Sequence, residues 1–499
     1  MKRITSALVA AGAITAALVT NKITSNHDTP IIQSTIIDVS DTLKFPKVDS
    51  PIEFLPLHTG GTVKFELEQR KVVGRINAVH TSIEGVIRVG GEFDGGTFCF
   101  ALEEDSTTHG VVMMSEGGVC YTMDPTLRGG NVTWINKKMS DIACVEVMPL
   151  AEGALAVASN TTINTTPITT RSAVPIYNSK PDAKTVLLLD FIGGTVQDPL
   201  WNGGKVIDVK PAMYSLDQIK QVYDIVAERY AAFNVNITTD VNKYATAPVK
   251  NRMRILLTTT NFINGYGGYS FIGSLKLAGT SIYSANIPCF AFVSNVGNAK
   301  NAGEVAAHEL GHTFGLTHDG KTGTSATTYY TGQGSWAPVM GTAYSKPVVQ
   351  WSKGEYKDAN NKQDDLTVIA TTPGVGYSTA SNTCSMINLG SNINAKDVIS
   401  NSSTSRYFQI TVVTGGTLTV DVHPVQYSGL NAVVELLTPG SQSIIKSNPL
   451  NDINTKISTT VKAGKYVIRV GGEGEGDAFT TGYSAYSSIG TFILTGTIK

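Results

Sequence analysis

The period of the hydrophobic pattern changes twice along this chain. From about residue 31 to 157, short runs such as 62–67, 85–89, 97–102 and 110–114 alternate apolar and polar positions, with Gly and Asp between them. That period of two predicts a β-rich unit with almost no helix. At 185–192 an unbroken apolar run predicts a strand buried on both faces, opening a new domain. A period of 3.6 follows. Ser215 and Gln218 have the spacing of a capping box, and Ile219, Val222, Val226 and Tyr230 form one stripe. Further strands are predicted at 234–238, 254–259, 268–272 and 289–294, then a helix from near Asn301 and a short one from near Asn361. After Thr372 the period of two returns at 405–412, 416–422, 432–437, 464–470 and 489–496, the spacing of a β-sandwich.

These changes divide the chain. Lys2 and Arg3 precede an uncharged stretch that ends near Thr20, which predicts a signal peptide at 1–22. A β-rich domain is expected at 23–157 and a polar linker or processing region at 158–180. An α+β domain at 181–372, a mixed sheet backed by helices, is followed by the sandwich at 373–499. The linker has little apolar surface to bury, so Arg171 or Lys180 is expected to mark a cleavage point.

Charge removes one class of function. With 39 basic and 40 acidic residues the chain has no electrostatic footprint for nucleic acid. Nothing after the leader reaches spanning length, so no stable membrane span is expected once it is removed. Five Cys leave at least one unpaired within a single chain. Cys99 and Cys120 sit on neighbouring β-patterned runs, where a cross-strand bridge is feasible, and this would leave Cys144 as a free thiol.

The chemistry is concentrated at residues 308–319, which read H-E-x-x-H-x-x-G-x-x-H-D. On a helix His308 and His312 share a face and can offer two imidazole nitrogens to one ion, with Glu309 beside them. Gly315 can leave the helix with positive φ, so that His318 supplies a third nitrogen. Three protein ligands leave a fourth position open, as in catalytic zinc sites. The chain holds eight His, and three of them fall here at the required intervals.

Downstream, residues 336–344 contain Met340 where a metzincin peptidase places its Met-turn. Together the two stretches resemble the metzincin clan of zinc endopeptidases, and Asp319 after the third His is similar to the adamalysin or reprolysin-like branch. The resemblance implies a Zn2+ cofactor on His308, His312 and His318, with Glu309 as the catalytic base and acid. It implies structural roles for Gly315, Asp319 and Met340, and a protein or peptide substrate lying extended along an edge strand, for which 269–274 is the candidate. The N-terminal domain is then similar to a propeptide and the sandwich to a bacterial pre-peptidase C-terminal domain. Cys144 becomes a candidate latency ligand, as propeptide cysteines are in related metzincins, although its surroundings do not match the cysteine-switch motif of matrix metalloproteinases. Where some metzincins carry a Tyr two places after the Met, this chain has Thr342. The whole is expected to be a secreted, monomeric zymogen. The alternative from another class is a secreted adhesion or glycan-binding protein built on an inactive core.

Overall fold

The computed structural model describes residues 52–82, 85–103, 105, 107–127, 132–144, 166–263, 265–378 and 386–499. The expected signal peptide, positions 158–165 of the expected linker and Cys384 lie outside them. The chain is a mixed α+β protein with three successive regions, and among the described residues no helix is long and apolar enough to cross a membrane.

The first region is a sheet of eight strands in sequence order, each antiparallel to the next, from Ile52 to Lys138. Its alternation divides the side chains between two cores. Val63, Phe65, Phe98 and Phe100 gather on one face, where Phe65 and Phe100 meet edge to face with centroids 5.3 Å apart. The sheet coils enough for the Trp134 indole of its last strand to donate to Glu66 O at 2.7 Å. On the other face Cys99, Val111 and Cys120 join the core of the next region. The expected Cys99–Cys120 bridge is not formed. Cys99 stands opposite Gly90 and Val111, Cys120 opposite Met113 and Lys137, so the strand Thr107–Met114 lies between them and both thiols are free.

The middle region is built on β1 (Thr185–Asp190), β2 (Val235–Thr238), β3 (Arg252–Thr258), β4 (Gly268–Tyr269) and β5 (Cys289–Phe292). They are ordered β2-β1-β3-β5-β4, all parallel except the edge strand β4. Parallel strands need crossovers, and helices supply them. Helix α1 (Leu216–Arg229) starts at the expected capping box, with Ser215 and Gln218 each bonded to the other's backbone, and buries Ile219, Val222 and Val226. Helix α2 (Ala299–Phe314) starts two residues before the expected position because the Asn298 side chain caps it, accepting from Asn301 N at 2.9 Å. Helix α3 (Asp365–Ala370) starts later than expected. Asn361 is not its cap: its amide donates to Thr317 O at 3.2 Å and its oxygen accepts from Gln363 N, leaving Asp364 to cap the helix through Thr367 N.

Trp201 joins the first two regions. Its indole donates to Pro288 O at 2.9 Å, its ring packs on Phe271 and Phe290, and the turn that carries it lies against the N-terminal sheet, where Asn77 donates to Gly203 O. The third region has five strands in one sheet and four in the other, with Phe408 and Phe492 meeting between them.

The described end of the expected linker is tied down. Ile168 N donates to Tyr214 O at 2.7 Å, Arg171 pairs with buried Asp190 at 3.0 Å, and Lys180 donates to Ala231 O and Phe233 O. Neither basic side chain is a loose cleavage point. Burial pushes the Asp190 carboxyl up, but Arg254, Arg171 and the N–H groups of Ile192 and Gly193 more than offset this and hold it below the ordinary range. Because the folded pKa is depressed, the stability it brings is complete above about pH 4 and is lost as pH falls through the folded value. Arg171→Ala should cost about 1–2 kcal/mol at pH 7, since Arg254 remains as a partner. The gap from wild type should narrow below about pH 4. A urea midpoint at pH 7 equal to that of wild type would exclude this anchoring role.

Candidate metal centre

Helix α2 is buried on nearly every side, and residues 308–312 have essentially no solvent exposure. The helix ends at Gly315, whose φ of 106° and ψ of 14° lie in the left-handed region open to glycine. The chain turns back there and His318 returns to the helix face. His312 Nε2 stands 3.0 Å from His308 Nε2 and 3.0 Å from His318 Nε2.

The partners of the other ring nitrogens decide what these contacts are. His308 Nδ1 lies 2.9 Å from Val339 O and His312 Nδ1 lies 2.7 Å from Leu316 O. A carbonyl only accepts, so each Nδ1 carries the hydrogen and each Nε2 presents a bare lone pair. Burial holds His308 down at about 4, and burial together with the neighbouring imidazoles holds His312 and His318 well below the ordinary value, so all three are neutral. Neutral nitrogens converging lone pair to lone pair repel one another unless a cation lies between them. The donor set therefore fits a metal ion.

Met340 closes the centre from below. It lies in a turn in which Gly341 N donates to Pro338 O at 3.1 Å, and its sulfur would stand 2.7 Å from a Cβ built on Gly311, between the two helical histidines. The strands flanking this turn, β6 (Trp336–Pro338) and β7 (Val348–Gln350), run parallel. Asp319 is buried against the same turn: its N–H donates to Met340 O at 2.8 Å, and burial pushes its carboxyl up to about 7 against the pull of Asn361.

Glu309 shares the pocket. Its Oε2 accepts from the Ser270 hydroxyl at 2.6 Å, and its Oε1 has no hydrogen-bond partner among the described residues. Burial pushes this carboxyl up to about 8, with Ser270 and Cys144 pulling the other way. The room for it comes from Gly268 on β4, where an added Cβ would stand 2.4 Å from Glu309 Oε1.

Cys144 is brought into the same place from the N-terminal region. Its sulfur lies 3.3 Å from His318 Nε2 and 3.5 Å from the Tyr329 hydroxyl. The ligand atoms of Cys144, His308, His312 and His318 all lie within 4.8 Å of one another. The backbone sets that position. Cys144 N donates to Ser270 O at 2.9 Å, Ile272 N donates to Ile142 O at 3.0 Å, and Ala143 faces Phe271 in an antiparallel bridge. Residues 142–144 thus continue the sheet edge beyond β4, along the stretch expected to bind substrate.

The structure brings His308, Glu309, His312, Gly315, His318, Asp319, Met340 and Cys144 to one centre. Sequence reasoning missed Ser270, Gly268 and Tyr329. Tyr329 packs against His318 with ring centroids 4.3 Å apart and planes tilted by 46°, and it stands in a loop with no motif to mark it.

Residues 223–352 match the family model Reprolysin_5, metallo-peptidase family M12. The matched stretch begins in α1, takes in the three histidines and the Met340 turn, and ends just after β7. Over these residues the chain is similar to metzincin metallopeptidases. Two solved structures are similar to it, each over 23% of this chain. One is the pre-peptidase C-terminal domain of collagenase from Bacillus anthracis, at 15% identity and a TM-score of 0.19 over 98% of that chain. The other is PliG of Aeromonas hydrophila, a periplasmic inhibitor of g-type lysozyme, at 18% identity and a TM-score of 0.17 over 97% of that chain. No curated protein matches.

If His318 completes the donor set, His318→Ala should weaken metal binding by a factor of about ten or more, while Glu309→Ala should leave metal content unchanged. Metal analysis of both variants after dialysis checks this, and equal metal retention by His318→Ala would place the third ligand elsewhere.

Proposed function

We propose that this chain is a zinc-dependent endopeptidase, exported as a latent precursor. The observation that carries the reading is the convergence of three neutral imidazoles, two of them with bare nitrogens facing each other, beside a buried carboxyl group. An all-nitrogen, neutral, tetrahedrally open set suits zinc, whose ligand atoms stand roughly 3.3 Å apart when tetrahedral. Held by His308, His312 and His318, zinc would supply a water with a pKa of about 7 and a Lewis acid for the substrate carbonyl.

The protein's own groups do the rest. Val339 O and Leu316 O fix the tautomer and ring plane of His308 and His312. Ser270 holds one oxygen of Glu309, leaving the other to serve as the base that would take a proton from the attacking water and pass it to the leaving amine. Ser270 O and Ile272 N lie on an edge where an extended peptide can add as a strand, gripped by main-chain groups with little dependence on its sequence. A purely adhesive protein would have no chemical use for a buried Glu309 beside three metal donors.

The same edge supports the latency reading. Residues 142–144 occupy its hydrogen bonds, and the Cys144 sulfur stands 3.3 Å from His318 Nε2, close enough to join the same donor set, so removing this segment would free both the strand and the metal site. Maturation would cut before Ile168, because the chain from there on is bonded into the middle region.

The decisive comparison uses two full-length variants and casein as substrate. Glu309→Ala should abolish cleavage even after the N-terminal region is removed, a loss of at least a hundredfold. Cys144→Ser should cleave before any processing, whereas the wild-type precursor stays silent. Full activity in Glu309→Ala would sink the mechanism, and an equally silent Cys144→Ser precursor would leave blockage by the strand as the source of latency. Intact mass and N-terminal sequencing of the exported active form should place its first residue after Val157 and before Ile168. An active form that still begins near residue 22 would disprove processing.

A further inference from the structure

Two residues of one loop in the C-terminal sandwich, Tyr427 and Gly429, are each bonded to a different support of the metal-binding helix. The first route runs through Gln350 at the end of β7, which is buried. Its Nε2 donates to Gly429 O at 2.5 Å and its Oε1 accepts from the Trp336 indole at 2.9 Å. Its backbone oxygen accepts from Val339 N at 2.8 Å, and Val339 O is the acceptor that orients His308 Nδ1 at 2.9 Å. A series of short hydrogen bonds through buried groups therefore joins Gly429 to an imidazole of the metal centre.

The second route runs through Arg229 at the end of α1. Its Nη1 donates to Tyr427 O at 2.5 Å, while its Nε and Nη2 form a two-pronged pair with Glu304, at 3.0 and 2.7 Å. Glu304 lies one turn before His308 on α2, and both side chains of this ion pair are about 3% exposed. Trp351, next to Gln350, closes the frame by donating its indole N–H to Arg229 O at 2.9 Å. A buried ion pair keeps its geometry only while its remaining donors and acceptors are satisfied, and Tyr427 O satisfies one of them.

We infer that the C-terminal sandwich is a positioning element of the metal centre, acting on His308 through Gln350, and that it stays with the middle region in the working protein. This rests on the reading of His308 as a metal ligand. Carbonyl partners of ligating histidines hold the ring at the angle the ion needs, and their loss typically weakens metal binding 10–100-fold. Val339 O is such a partner, and its own position depends on a residue gripped from the C-terminal side.

Full-length protein provides the test, with zinc affinity measured by competition against a chromophoric chelator. Gln350→Glu keeps the acceptor that serves Trp336 but sets a second acceptor against Gly429 O. Gly429→Ala adds no charge: its Cβ would stand 3.0 Å from Val349 O and 3.2 Å from Gln350 Cγ, easing the loop away from β7. Val413→Ser, at a position of the sandwich that is 74% exposed, is the control. Both test variants should bind zinc about 10–100-fold more weakly while eluting at wild-type size with unchanged far-ultraviolet circular dichroism, and the control should match wild type. Folded test variants with wild-type zinc affinity would overturn the inference. If Gln350→Glu does not fold, Gly429→Ala decides by the same criterion. A wild-type chain that binds no zinc would instead bring down the metal reading itself, an outcome distinct from tight wild-type binding with unchanged variants.

Discussion

Three imidazole nitrogens gathered so that His312 Nε2 stands 3.0 Å from those of both His308 and His318, with the His308 and His312 lone pairs turned inward, are the constraint the rest of this structure answers. Left alone, such a group would rotate apart or take up protons. Here it can do neither, because α2 is enclosed and burial holds the rings neutral. The carbonyls of Val339 and Leu316 determine which nitrogen of His308 and His312 carries the hydrogen, and neither belongs to the helix. The metal centre is therefore specified as much by two backbone oxygens as by three side chains.

The parts of this arrangement that were legible in the sequence are the local ones. His308 and His312 announce themselves because an α-helix puts positions four apart on one face, and Gly315 because left-handed backbone at a helix end favours glycine. The Ser215 capping box and the apolar stripe of α1 could be read for the same reason. Strand existence was read well and strand adjacency was not: Cys99 and Cys120 lie on period-two runs, yet only the register shows a whole strand between them. Asn361 had the composition of a helix cap but spends its side chain on Thr317 and Gln363. Ser270 lies 39 residues from Glu309 and Tyr329 lies 185 from Cys144, and no spacing rule reaches across such separations.

The N-terminal sheet shows how one alternating pattern can serve two cores. Phe98 and Phe100 point to the sheet's own interior while Cys99, between them, points into the middle region. A two-faced sheet of this kind cannot leave without exposing apolar surface on the unit it departs from, so the contact made by residues 142–144 has strong packing behind it. Trp201 concentrates that packing, since its ring meets Phe271 and Phe290 while the turn that carries it lies against the sheet. Two further regions thus press on the central one, from opposite ends of the chain.

Gly268 carries a lesson about ancestry. A side chain of any kind at that position would stand within 2.4 Å of Glu309 Oε1, so the space the carboxylate occupies is defined some forty positions before the motif that advertises it. A descendant could keep all three histidines and the glutamate intact, replace only this glycine, and lose the geometry of its carboxylate. Pseudoenzymes of this architecture need not show any scar in their signature; the silent lesion would lie upstream, on an edge strand two residues long.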